Sequence, residues 1–258
     1  MLSKNKIKYI RSLSLSKFRA LHKEFISEGT KVVFELIKSH FDVSDIFVTQ
    51  RWVDDNPKLH SSFSYEIISE DEMKLISQLS TPPGVLAIAA MPTYDLEIKK
   101  IQDDLCLVLD GINDPGNLGT IIRTADWFGV KHIICSMDTV DAYHPKVVQS
   151  TMGSLFRIHV YETELSSFLN SVKSQNICTF GAVIQGNNIY KTQLTTKSSF
   201  LIIGSESHGI RDYILPFIKY PITFPAFSEN SEQGAESLNA SIATALILGE
   251  FRRISYNS

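Results

Sequence analysis

The chain is 258 residues long, 43% hydrophobic and 21% charged, the composition of an ordinary globular protein with enough apolar material for a core. Its net charge of −3 gives no overall basic signal for nucleic acid, and its longest apolar run, residues 85–91, is far too short to span a bilayer. With no apolar stretch at its start to act as a secretory signal, the expectation is one large domain or two small ones in the cytoplasm, with no membrane partner.

Charge is unevenly placed. Residues 1–23 hold Lys4, Lys6, Lys8, Arg11, Lys17, Arg19 and Lys23 and no acid. This arm is either a phosphate-contacting segment or a solvated helix face. Apolar Ile7, Ile10, Leu13 and Leu21 predict a helix over residues 7–22, and Val32, Val33, Leu36 and Ile37 a second over 30–39. Strands are expected at 45–49, 65–68 and 85–89. Ser69 and Glu72 form a capping box for a helix to Leu79, and Thr81-Pro82-Pro83-Gly84 reads as a turn. Residues 1–91 are thus a small α/β domain. The polar stretch 92–104, opened by Pro92, is the expected linker.

From Leu105 onward the rhythm is strongly α/β. Apolar strands are expected at 105–109, 132–135, 156–160, 179–184, 200–203 and 220–224, with helices near 117–128, 145–153, 162–173, 209–216 and 237–253. That alternation implies a parallel sheet covered on both faces, with ligands at the carboxyl ends of its strands. Cys106 and Cys135 sit inside strands and read as small buried hydrophobes. The three cysteines have no metal-like spacing.

Three corners of this pattern mix glycine with polar side chains. The first runs from Asp110 through Asp114-Pro115-Gly116 to Asn117, a good helix N-cap, with Arg123 six residues on. Arg123 either reaches an anion near the helix start or pairs with Asp126 or Glu206 on the surface. The second is Gly204-Ser205-Glu206-Ser207-His208-Gly209, which has neither the GxGxxG spacing of a dinucleotide site nor a Walker lysine. Its glycines permit close backbone approach to a flat ligand, and Glu206 is either solvated or matched to a cation or donors. His208 reads as a surface histidine. The third is Glu236-Ser237-Leu238-Asn239, where Glu236 or Ser237 can cap a helix whose first turn has free backbone donors.

Together these corners resemble the SpoU (TrmH-type) RNA 2′-O-ribose methyltransferases of the SPOUT superfamily. Asp110, Asn117, Gly119, Arg123 and Ala125 match the first motif; Gly204, Glu206 and Gly209 the second; Ser237, Leu238 and Asn239 the third. The stretches Pro145-Lys146-Val147-Val148 and Met152-Gly153-Ser154 are similar to the family as well, and residues 1–91 resemble the ribosomal-protein-like substrate-binding domain ahead of many members. Departures are Ser207, where the motif usually has glycine, and a long loop from Phe227 to Ala235. The resemblance implies a parallel-sheet methyltransferase domain over 105–258 with a C-terminal trefoil knot, against the general rule for chain threading. It implies S-adenosylmethionine held by Ile203, Gly204, Phe224, Ser237 and Leu238, no metal, and a homodimer. It gives Arg123 the stabilisation of the reacting oxygen, with Asn117 and Asn239 orienting and Glu206 as counter-charge. The implied substrate is structured RNA, ribosomal before transfer RNA. A non-catalytic RNA-binding protein on the same fold is the alternative of a different class.

Overall fold

The computed structural model describes residues 1–57, 63–227 and 237–256, with 255 and 256 as backbone only. In chain order the elements are α1 (Lys4–Ser12), α2 (Ser16–His22), β1 (Glu24–Glu28), α3 (Thr30–Ile37), β2 (Val43–Thr49), α4 (Gln50–Asp55), β3 (Glu66–Ile68), α5 (Glu70–Ile76) and β4 (Val85–Ala90). They continue with α6 (Ile98–Ile101), β5 (Leu105–Asp110), α7 (Pro115–Trp127), β6 (His132–Ser136), α8 (Pro145–Thr151), β7 (His159–Thr163), α9 (Leu165–Val172), β8 (Cys178–Asn188), β9 (Ser199–Gly204), β10 (Tyr220–Thr223) and α10 (Ala240–Tyr256). Two compact units result: Met1–Thr93 with Asp141–Arg157, and Tyr94–Val140 with Ile158–Ser258.

The first unit is a four-stranded sheet in the order β1-β4-β2-β3, antiparallel except between β2 and β3. The expected helix over 7–22 is two, α1 and α2, broken at Leu13–Leu15. Arg19 explains the break. Its guanidinium is 1% exposed and donates to the carbonyls of Leu13 and Ser14 at 2.9 Å each, and its Nε donates to Asp141 at 2.8 Å. A basic residue of the arm is therefore a buried clamp on a turn, whose carbonyls would otherwise lack donors. The Ser69/Glu72 capping box forms as expected and starts α5. β1 is not among the expected strands, because Glu24 and Glu28 bracket a short run with only two apolar residues. Glu28 is buried there, accepting from the Ser77 hydroxyl and the Gln78 N–H, and burial raises its pKa.

Residues 141–157 pack with this first unit, whereas the expected division puts everything after Asp104 in the second. Phe25 of β1 meets the rings of Tyr143 and Phe156, Phe41 meets Phe156, and Arg157 pairs with Glu35. The apolar side of α8 (Val147, Val148) is buried on the same ground. Phe156, expected to open a strand, lies instead in a 3-10 turn, Ser154–Arg157, and β7 begins at His159.

In the second unit all six strands run parallel, in the order β10-β8-β9-β5-β6-β7. β5 and β9 are central and almost wholly buried, as continuous apolar runs in a two-sided sheet must be. The expected linker is folded: Ile101 of α6 is fully buried, and Tyr94, Leu96 and Ile98 pack on the same apolar cluster as Phe168 and Phe200. Cys106 and Cys135 are buried on β5 and β6, and burial pushes both thiols up, Cys106 to about 12. Residues 209–216, expected as a helix, form turns and lead into a 3-10 stretch at Leu215–Phe217. Among the described residues no helix is long and apolar enough to cross a membrane.

Candidate active site

The three corners meet at the carboxyl ends of β5 and β9. The first is organised differently from its sequence reading. Asp114, not Asn117, caps α7: its Oδ1 accepts the Asn117 N–H at 2.8 Å, and Pro115 takes the first helical position. Asn117 therefore sits inside the first turn, and its side chain is free to point elsewhere. It donates through Nδ2 to Glu206 of the second corner. Asn239 of the third corner donates through its own Nδ2 to Asn117 Oδ1 at 3.0 Å and to Glu206 Oε1 at 3.2 Å. The Ala240 N–H reaches the same Glu206 oxygen at 3.2 Å. Glu206 is thus held by three donors, two side-chain amides and one helix N–H.

Asn239 also caps α10. Its Oδ1 accepts from the N–H groups of Ser241 (3.0 Å) and Ile242 (3.3 Å) and from the Ser241 hydroxyl. The capping role that the sequence offers to Glu236 or Ser237 belongs to Asn239; Glu236, like residues 228–235 of the long loop, lies outside the described residues.

Arg123 does not join this cluster. Six residues along a helix rotate it about 120° from Asn117, and it is exposed on α7 with no hydrogen bond or ion pair among the described residues. The expected Glu206–Arg123 pairing is absent because Glu206 is occupied by the amides. On its own side Arg123 is one turn from Trp127, whose ring is 85% exposed.

The second corner is shaped by a backbone crossing. A Cβ on Gly204 would stand 2.0 Å from the Gly209 carbonyl carbon and 2.3 Å from the Ile210 nitrogen, so only glycine fits. Ser205 and Gly209 form a short bridge that closes the loop, and Gly209 takes the positive φ of 65°. Ser207 has no positive φ, so serine in place of the usual glycine strains nothing. His208 is exposed and hydrogen-bonded to the Ser207 hydroxyl. Substituting Gly204 by alanine is expected to force the two segments apart, costing ~1–3 kcal/mol, measured by denaturant unfolding. Wild-type stability in that variant would mean that the two segments do not depend on glycine for this crossing.

Beneath the crossing lies a cavity of about 580 Å³, within the usual range for a small-molecule site. Ile203, Gly204, Phe224, Ser237 and Leu238 all line it, as does Glu206. Sequence reasoning misses Ala182, Val183 and Ile184 on the opposite wall. They are brought in because β10 skips along β8: Pro221 pairs with Gly181 and Ile222 with Asn187, so residues 182–186 bulge out of the ladder. The cavity walls are mostly apolar, with Ser205, Glu206, Thr223 and Ser237 as the polar members. Among the described residues no group of three or more His, Cys, Asp or Glu side chains could hold a metal ion.

Below this loop is an ion pair that the sequence does not disclose. Arg211 donates from its backbone N–H to Asp110 Oδ2 at 2.8 Å, from Nε to Asp110 Oδ1 at 2.7 Å, and from Nη1 and Nη2 to Asp138 at 3.0 and 3.1 Å. The Asp110 side chain is fully buried. The Asp110 hydrogen bonds raise the Arg211 pKa above its already high value, and a Ser136 hydrogen bond, then Arg211, lower that of Asp138. Asp110, matched above as a motif residue, thus ties the end of β5 to the chain leaving the second corner. Only its long-range partner, 101 residues away, reveals this.

A parallel α/β sheet with a cavity and an amide–carboxylate cluster at its strand ends is the arrangement of an α/β enzyme domain that takes a small molecule at the carboxyl ends of its strands. The chain belongs to the SpoU rRNA Methylase family, whose model matches residues 104–249; the MRM3-like substrate binding domain matches residues 4–87. It is 30% identical over 251 residues, 96% of each chain, to the 23S rRNA (guanosine(2553)-2′-O)-methyltransferase RlmP of Bacillus subtilis. A TrmH-family protein of Porphyromonas gingivalis superposes with a TM-score of 0.87 at 33% identity, over 98% of this chain and 99% of that one. An AdoMet-bound rRNA methyltransferase of Sinorhizobium meliloti superposes with a TM-score of 0.83 at 25% identity, over 98% and 97%.

Proposed function

We propose that this protein transfers a methyl group from S-adenosylmethionine to a ribose 2′-hydroxyl of ribosomal RNA. The observation that carries the reading is the meeting of Asn117, Glu206 and Asn239 at the rim of the cavity lined by Ile203, Gly204, Phe224, Ser237 and Leu238. Family membership and the rRNA methyltransferases among its relatives support it. Residues 1–91 would bind the RNA, 105–258 would carry the chemistry, and the trefoil threading belongs to this reading.

The methyl donor supplies an electrophilic carbon on a sulfonium. The chain's own residues position a ribose oxygen and make its proton easier to lose to solvent water. An arginine stays protonated in proteins, so Arg123 acts by stabilising the developing alkoxide and the adjacent phosphate rather than as a base. Asn117 and Asn239, locked by Glu206, present a fixed amide edge to the ribose. The working form is a homodimer in the cytoplasm. Exposed Ile242 and Leu246, one turn apart on α10, and Trp127 beside Arg123 on α7 support an apolar contact with a second copy.

The test is a map of 2′-O-methyl positions in RNA from cells with and without the gene. The expected result is one position lost from large-subunit ribosomal RNA and restored by the purified protein with labelled S-adenosylmethionine. Loss from a transfer RNA would move the substrate to that class, and identical maps would overturn the assignment.

A further inference from the structure

We propose that the solvent face of α1 is a phosphate-binding stripe for the substrate RNA, formed by Lys4, Lys8 and Arg11; this rests on the RNA reading above. Seven of the chain's 25 Lys and Arg, and none of its 28 Asp and Glu, fall in the first 23 residues. Two of the seven, Lys17 of α2 and Lys23 after it, are exposed but lie off α1; the structure sorts the other five. Arg19 is buried on Asp141, and Lys6 is paired with Asp45 at 2.8 Å. Lys4, Lys8 and Arg11 are exposed and have no ion pair or side-chain hydrogen bond among the described residues. Their spacing of four and three residues puts them on one face of the helix, within about 60° of arc and spread over about 10 Å. That length matches about three successive phosphates of one strand.

The stripe is electrostatically unfavourable for the helix that bears it. Lys4 and Lys8 are like charges four apart, Lys8 and Arg11 three apart, spacings at which repulsion destabilises a helix. The first turn holds a cation and no acid, the reverse of what the helix dipole favours. An ordinary solvated face would interleave acids here. A polyanion removes the repulsion from outside. The opposite face of α1 is spent in the core, where Ile10 and Leu13 are fully buried and Ile7 packs beside them, so no apolar side remains for insertion into a lipid surface.

The experiment compares the full-length chain with the Lys4→Ala, Lys8→Ala, Arg11→Ala triple variant. Binding to fluorescently labelled, protein-free large-subunit ribosomal RNA is measured from about 50 to about 200 mM salt. Expected are a loss of about tenfold or more in affinity at low salt and a fall of about 2 in the slope of log K against log salt. The melting temperature should hold or rise, since repulsion is relieved, which a merely structural role would not produce. Methylation should show a raised KM for RNA with kcat retained. An unchanged slope overturns the stripe. So does an equal loss in a Lys131→Ala, Lys173→Ala, Lys197→Ala control, or tighter binding of wild type to phosphatidylglycerol vesicles that the triple variant loses. Wild-type protein that leaves the RNA unmethylated removes the functional reading itself, and the stripe with it.

Discussion

Replacing Arg123 with alanine is expected to lower methyl transfer by about a thousandfold, the upper end of the loss from removing one oxyanion-stabilising donor, while S-adenosylmethionine affinity stays within about twofold. The split follows from the geometry. Arg123 is absent from the cavity wall, which Ile203, Gly204, Phe224, Ser237 and Leu238 supply. It is exposed on α7 and forms no bond to its surroundings among the described residues, so its removal costs little folding energy. A cation kept at a helix surface without a partner is available to an incoming phosphate and alkoxide. Arg123→Lys should recover only part of the rate, because a point charge cannot hold two oxygens at once as a guanidinium does. Single-turnover methylation with labelled donor, beside calorimetric titration of the donor, reads both quantities. Normal turnover in Arg123→Ala would sink the electrostatic mechanism; loss of donor binding would place the residue in the cavity instead.

The residues that the family resemblance implies for the donor, Ile203, Gly204, Phe224, Ser237 and Leu238, share one cavity because they lie at strand ends and a helix start: Ile203 and Gly204 end β9, and Leu238 precedes α10. What escapes depends on competition between neighbouring residues and on distance along the chain. Asn117 has the right chemistry for a cap. Asp114 has it too, and Pro115 at the first helical position decides between them, turning Asn117 from a capping residue into a bridge to Glu206 and Asn239. Its six-residue spacing from Asn117 suggests Arg123 near the start of α7, and helical rotation defeats it. The bulge at residues 182–186 follows from how β10 meets β8 and has no local signal. Residues 141–157 read as ordinary α/β sequence; their place with the first unit is set by Phe25, Arg19 and Glu35, over a hundred positions earlier.

Arg211→Ala is expected to destabilise the second unit by ~3–5 kcal/mol, the usual cost of stranding one partner of a buried ion pair. Asp110 is the stranded partner: its side chain has no exposure, and the guanidinium satisfies its Oδ1 through Nε and Nη2. The Asp138 arm contributes little, since that carboxylate is more than half exposed. For a chain of this size the shift in unfolding midpoint is on the order of 10 °C. Arg211→Lys should fall between, keeping charge but not the fork. Asp110→Asn combined with Arg211→Ala should be less damaging than the sum of the two single changes, because the uncompensated charge is gone. The consequence reaches the site. Arg211 follows Gly209 and Ile210, the segment that crosses Gly204, and its backbone N–H is itself bonded to Asp110. Loosening this anchor frees the crossing, so donor affinity should drop in Arg211→Ala even at temperatures where the protein remains folded. Scanning calorimetry and donor titration on the wild type, the three single variants and the double variant test both parts. A loss below about 1 kcal/mol, the scale of a surface pair, would show that the Asp110–Arg211 bond does not hold the second corner in place.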